Sequence, residues 1–210
     1  MDGTLTRTNE LIFAAFNYIA EKYLNSSLTP DEIIRMFGPP EDHAILTMVG
    51  DARYESALKD LYDFYREHHN RMARLYDGMF DTLSMLHRGG VSLGIFTGKG
   101  RVTTDITLRA FQIEKYFSSV VTGHDVDKHK PSGEGILRAL EQMGIGNEDA
   151  VMIGDSVSDV SASHEVGVDI AAVLWDSYGY EKVVKLETDY RFHTVDEFRE
   201  WIRGWLNHKV

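Results

Sequence analysis

Hydrophobic positions divide this chain into two textures. From about residue 8 to about residue 75 they recur at helical spacing, with Leu11, Ile12, Ala15, Phe16, Ile19 and Tyr23 on one face. Thr29-Pro30-Asp31-Glu32 reads as a helix start, with Thr29 as N-cap, Pro30 in the first turn and Glu32 at the third helical position. Gly38-Pro39-Pro40 breaks the pattern, and a long helix is expected from about Tyr54 to Arg74. Nothing in this stretch alternates as a strand.

From about Asp77 the rhythm changes. A helix over Met79 to His87 stops at Gly89-Gly90, and Val91 to Phe96 reads as a buried strand ending at Thr97-Gly98. A helix to about Ala110, a short strand at Val120-Val121 and a helix from Ser132 to Met143 follow. Ala150 to Ile153 is a strand ending at Gly154-Asp155, with a helix from Ser158 to Val166 behind it. Val168 to Leu174 is a further strand, and Val195 to Leu206 a closing amphipathic helix. Apolar strands alternating with helices predict an α/β fold: a doubly wound parallel sheet covered on both faces. Thr97, Asp125 and Asp155 fall at the carboxyl ends of strands, the edge where such sheets bind ligands. The all-helical stretch is then a small cap inserted near the start of the core. The expected boundaries are 1–7 and 76–210 for the core and 8–75 for the cap.

Composition narrows the class. Among 210 residues, 43% are hydrophobic and 26% charged, an ordinary globular mix. The net charge of -11 repels nucleic acid and anionic membranes, so neither is an expected partner. An anionic substrate would need a local cation. With no cysteine there is no thiolate nucleophile, thiolate zinc site or disulfide, which fits a cytoplasmic protein. The aromatic face of the long cap helix (Tyr54, Leu58, Tyr62, Phe64) suits packing on the core or on a second subunit, so monomer and homodimer both stand.

Four stretches carry chemistry. In Gly154-Asp155-Ser156-Val157-Ser158-Asp159, two acids sit at a strand end and in the first turn of a helix. They suit magnesium, or simply cap the helix. Lys130-Pro131 either holds a fixed point charge for a phosphoryl oxygen or is a solvated lysine. In Phe96-Thr97-Gly98-Lys99, the threonine hydroxyl and the backbone N–H groups can meet an anion, or form a plain turn. Asp2-Gly3-Thr4 alone is a common turn.

Taken in chain order, Asp2-Gly3-Thr4, then the helical insertion, then Thr97, then Lys130-Pro131, then Gly154 to Asp159, the four stretches resemble the haloacid dehalogenase-like hydrolase superfamily. The likeness is to its phosphatase branch with a small helical cap, which includes phosphoglycolate phosphatases and a pyrophosphatase. Gly167 and Thr188-Asp189-Tyr190 add to it. The resemblance implies Mg2+-dependent hydrolysis of a small phosphorylated metabolite through an aspartyl-phosphate. Asp2 matches the general acid/base, with its carbonyl a magnesium ligand. Thr97 and Gly98 match the phosphate-binding residues. Lys130 matches the lysine that steadies the phosphoryl charge, Asp155 the magnesium carboxylate, and Asp159 the outer acid that supports the metal or Lys130. The family's first motif reads Asp-x-Asp-Gly-Thr, so its nucleophile is expected one place before Met1. The second acid, Asp2, favours phosphate chemistry over dehalogenation. A phosphomutase shares these motifs, and a chain truly starting at Met1 would be a non-catalytic phosphoryl-ligand or partner-binding protein. Gly38-Pro39-Pro40, with Arg35 and His43 beside it, is a candidate substrate loop or an ordinary helix-helix turn. The pyrophosphatase likeness rests on this loop and on His68-His69.

Overall fold

The computed structural model describes residues 1–208. The first strand, β1 (Thr6–Arg7), leads into four helices: α1 (Asn9–Leu24), α2 (Pro30–Ile34), α3 (Glu41–Val49) and α4 (Asp51–Met72). The helical spacing does what it predicts. Leu11, Phe16, Ile19, Ile33, Ile45, Leu61 and Tyr65 converge in one buried cluster, where each aliphatic side chain removed from water contributes about 1.5–3 kcal/mol. Thr29 closes a full capping box with Glu32 at the start of α2.

One expectation fails here. Arg74–Leu75, read as the end of a helix, forms β2 and pairs antiparallel with β1, Thr6 opposite Leu75 and Arg7 opposite Arg74. A two-residue strand is too short to show a period, and its partner lies at the other end of the helical stretch. The pairing brings the chain back to the point where it left, so the helices hang from a double crossing.

Beyond it come α5 (Met79–Arg88), β3 (Gly94–Phe96), α6 (Arg101–Ala110), β4 (Ser119–Val121), α7 (Glu134–Met143), β5 (Val151–Gly154), α8 (Val157–Val166), β6 (Asp169–Val173), α9 (Tyr180–Val183), β7 (Tyr190–Phe192) and α10 (Val195–His208). All pairings among β3 to β7 are parallel, as the alternation predicts. β6, the middle strand of its sheet, is buried from Ile170 to Val173 because helices cover both faces. The strand β7, at the segment noted only for Thr188-Asp189-Tyr190, is not predicted by the hydrophobic pattern. Its short polar-apolar sequence becomes a strand by pairing with Ala171 to Val173.

The sheet is not continuous among the described residues. β3 pairs only with β4, while β5, β6 and β7 form a separate sheet. An apolar cavity of about 260 Å³ lies between β3 and β5, walled by Leu5, Ile95, Met152, Ile153 and Trp205. Val151, on the open edge of β5, is 39% exposed. No described helix is long and apolar enough to cross a membrane.

Candidate active site

The carboxyl ends of β3 and β5, the loop before α7 and the turn before β1 meet beneath the helical insertion. At the end of β5, Ser156 caps α8 and Asp159 completes a capping box. Asp159 Oδ2 accepts from the Ser156 hydroxyl at 2.7 Å, the Ser156 N–H at 3.0 Å and the Asp155 N–H at 3.2 Å. Its Oδ1 accepts from Lys130 Nζ at 2.6 Å. Burial alone would raise the Asp159 pKa, but the Lys130 ammonium and these donors outweigh it and hold it at about 2. Lys130 also donates to the Phe96 carbonyl at 2.9 Å, which ties the end of β3 to the end of β5. The α7 helix begins at Glu134, two residues later than its expected start at Ser132.

Asp155 is the less compensated acid. Its Oδ1 accepts from the Thr4 hydroxyl at 2.8 Å. Burial, then the neighbouring Asp159, push its pKa up to about 7. Gly3 makes this approach possible: its φ is +76°, and a Cβ there would stand 2.3 Å from Asp155 Oδ2. The Asp-Gly of the first motif is therefore a steric requirement as well as a turn.

Asp2 Oδ1 accepts from Thr8 at 2.7 Å and Thr6 at 3.2 Å, and its Oδ2 accepts from Lys99 Nζ at 3.0 Å. Burial opposes ionisation, but Lys99, then the Met1 ammonium and the hydroxyl of Thr8, outweigh it and keep Asp2 below the usual carboxylate range. Lys99 is raised in turn: burial lowers it, and Asp2 and Tyr65 more than compensate. Lys99 also donates to the Tyr65 hydroxyl of α4 at 2.7 Å. The pair of Asp2 and Lys99 thus joins the first motif to the helical insertion.

The insertion docks through α3. Glu41 accepts from the Gly100 N–H at 2.7 Å and the Thr103 hydroxyl at 2.6 Å, at the start of α6 where the helix dipole favours an anion. The Gly38 carbonyl lies so close to Gly98 that a Cβ there would meet it at 2.7 Å. His124 and Asp42 pair at 2.9 Å alongside.

Asp2, Thr97, Gly98, Lys130, Asp155 and Asp159, all six singled out in the sequence, line one cavity of about 340 Å³ under the insertion. Asp125, the other strand-end acid, is absent from its lining and accepts instead from Thr122 and Arg101. Arg35, His43, His68 and His69 do not line it either. His69 is buried and meets Thr107 at 3.2 Å, and burial lowers its pKa to about 4. Sequence reasoning missed Lys99, Tyr65 and Glu41. Lys99 stood in the quoted Thr97-Gly98-Lys99 stretch, but its counterion lies near the other end of the chain.

Among the described residues, no three His, Cys, Asp or Glu side chains converge as a metal cluster. Magnesium does not require one, being held by one or two carboxylates with waters and a substrate phosphate. Asp155 fits that role, since its raised pKa marks an anion short of positive charge. Asp159 has both oxygens committed to Lys130 and the start of α8. That places it behind Lys130 and leaves Asp155 as the acid open to a cation.

A sequence profile of the haloacid dehalogenase-like hydrolases matches residues 1–173. The chain belongs to this family. It is 31% identical over 204 residues to a PpaX-type protein of Caldanaerobacter subterraneus subsp. tengcongensis, covering 97% of this chain and 92% of the relative. It is 29% identical over 197 residues to the pyrophosphatase PpaX of Anoxybacillus flavithermus, covering 94% and 91%. A crystal structure described as a predicted phosphoglycolate phosphatase from Haemophilus somnus superposes with a TM-score of 0.83 at 19% identity, over 96% of this chain and 94% of that one. The last likeness is one of fold alone. The two sequence relatives place this hydrolase in the family's phosphatase branch.

Proposed function

We propose that the protein is a magnesium-dependent phosphatase that hydrolyses a small phosphorylated metabolite through an aspartyl-phosphate. The observation that carries this reading is the convergence of Asp2, Thr97, Lys130 and Asp155 on one cavity. Phosphoryl transfer needs in-line positioning and charge neutralisation more than elaborate bond chemistry. Thr97 and the backbone of Gly98 orient the phosphoryl group, and Lys130, fixed by Asp159 and the Phe96 carbonyl, offers it positive charge. A magnesium ion on Asp155 and the Asp2 carbonyl would neutralise the phosphoryl oxygens and the attacking carboxylate.

The attacking carboxylate is expected immediately before Met1 in the register of the first motif. It forms a bond to phosphorus as the bond to the leaving oxygen breaks, and that oxygen takes a proton from Asp2. Water then attacks the phosphoryl group, Asp2 takes its proton, and phosphate leaves. In the state described, Asp2 is ionised and turned to Lys99, the form that accepts a proton from water. A phosphoryl dianion entering beside it raises its pKa, which favours the protonated form needed by the leaving group.

The test compares the 210-residue chain with a version carrying an apolar strand and an aspartate in register before Met1. Phosphate release from a panel of small esters, dependent on magnesium and lost in Asp2→Asn, is the expected result for the longer version. A folded longer version that releases no phosphate from any ester overturns the reading.

A further inference from the structure

The walls of the cavity point to a class of substrate. Its only lysine, arginine or histidine side chains are Lys99 and Lys130, among residues that are all described. Both are already committed, Lys130 to Asp159 at 2.6 Å and Lys99 to Asp2 at 3.0 Å. Opposite them, the helical insertion contributes Ile12, Phe16, Ile34, Met36 and Phe37. The one charged side chain it adds is Glu41, an acid. Phe37 is 43% exposed, so a large aromatic surface stands at the cavity with little protein covering it.

A substrate with a single phosphoryl group finds Lys130, Thr97 and the cation site at one end. A second anionic group would be pressed against apolar walls and the Glu41 carboxylate, with no free lysine, arginine or histidine to pair it, the Met1 ammonium lying at the phosphoryl end beside Asp155 and Lys130. A buried charge without a partner is strongly disfavoured, whereas apolar surface on apolar walls is favoured. Recruiting Lys99 to the second anion would leave Asp2 without its counterion. We therefore infer that the substrate is a phosphate monoester whose leaving group is uncharged and largely apolar, and that the site discriminates against pyrophosphate and against esters that carry a carboxylate. This inference rests on the phosphatase reading.

Calorimetric titration of the 210-residue chain, with magnesium in excess over ligand, tests it. The probes are phenyl phosphate, inorganic phosphate, pyrophosphate and 2-phosphoglycolate. Phenyl phosphate is expected to bind about tenfold more tightly than the other three, the scale at which apolar pockets discriminate. Phe37→Ala should narrow the gap between phenyl phosphate and inorganic phosphate. Ile34→Lys should strengthen pyrophosphate binding relative to phenyl phosphate by supplying the missing cation. Pyrophosphate or 2-phosphoglycolate binding as tightly as phenyl phosphate, or more tightly, overturns the inference and leaves the phosphatase reading standing. Binding of none of the four, either by this chain or by the version extended before Met1, overturns the phosphatase reading itself.

Discussion

Replacing Lys99 with methionine tests the ion pair that joins the first motif to the helical insertion. Methionine keeps most of the length and apolar volume of the stem, so the main loss is the ammonium. The side chains of Lys99 and Asp2 are only 7% and 22% exposed. Removing one partner of such a pair costs about 3–5 kcal/mol, because the other charge stays buried and unpaired. The bond to Tyr65 goes as well, and a lost hydrogen bond typically costs about 1 kcal/mol. Against a typical net stability of about 5–15 kcal/mol, the loss should be plain in urea titrations at pH 7.5. The pH dependence identifies the cause. In the parent chain Asp2 lies below its unfolded value, so its contribution is present above that value and disappears as pH falls through the folded one. In Lys99→Met the unpaired carboxylate moves above its unfolded value. The destabilisation should therefore be largest at neutral pH and shrink towards pH 4, as Asp2 takes up a proton. A loss below about 1 kcal/mol, or one that does not change with pH, would refute the assignment of Lys99 as the counterion of Asp2.

Three further substitutions probe the rest of the site and its support. Gly3→Ala forces a Cβ onto Asp155 and into a left-handed conformation that costs about 1–2 kcal/mol by itself, so a total loss above 2 kcal/mol is expected in the same titrations. Asp155, with its pKa raised to about 7, costs the metal-free chain stability progressively as pH rises from its unfolded value to about 7, and fully above that, since the unfolded carboxyl ionises more readily; Asp155→Asn should raise Tm at pH 8 and abolish any rise in Tm on adding magnesium. His69, held near pKa 4, binds a proton less readily folded than unfolded, so stability should be complete above about pH 6.5 and fall between there and pH 4 by on the order of 2–3 kcal/mol, a slope that His69→Phe should flatten.

Much of the molecule is legible in the order of its residues. Helical spacing at Leu11, Ala15 and Ile19 and the apolar run at Ile170 to Val173 are local signals, because burying one face of a helix or both faces of a strand leaves a period in the chain. Thr97, Gly98, Asp155 and Asp159 are legible in the same way, since each stands just past a strand or in the first turn of a helix where polar groups gather, whereas Asp2 and Lys130 were legible only through the family resemblance. What each side chain is paired with was decided only by tertiary structure. Lys99 and Asp2 lie 97 positions apart, and nothing near either one names the other. The assignment of Asp159 to Lys130 rather than to a cation depends on how β3 and β5 place their ends. The antiparallel pair of β1 and β2 and the strand β7 depend likewise on partners distant along the chain. The sequence by itself determined the elements and the chemical inventory, because those follow from neighbours a few residues apart. The charge pairing and the apolar roof over the site were set by the folded arrangement, because they depend on which elements are brought together in space.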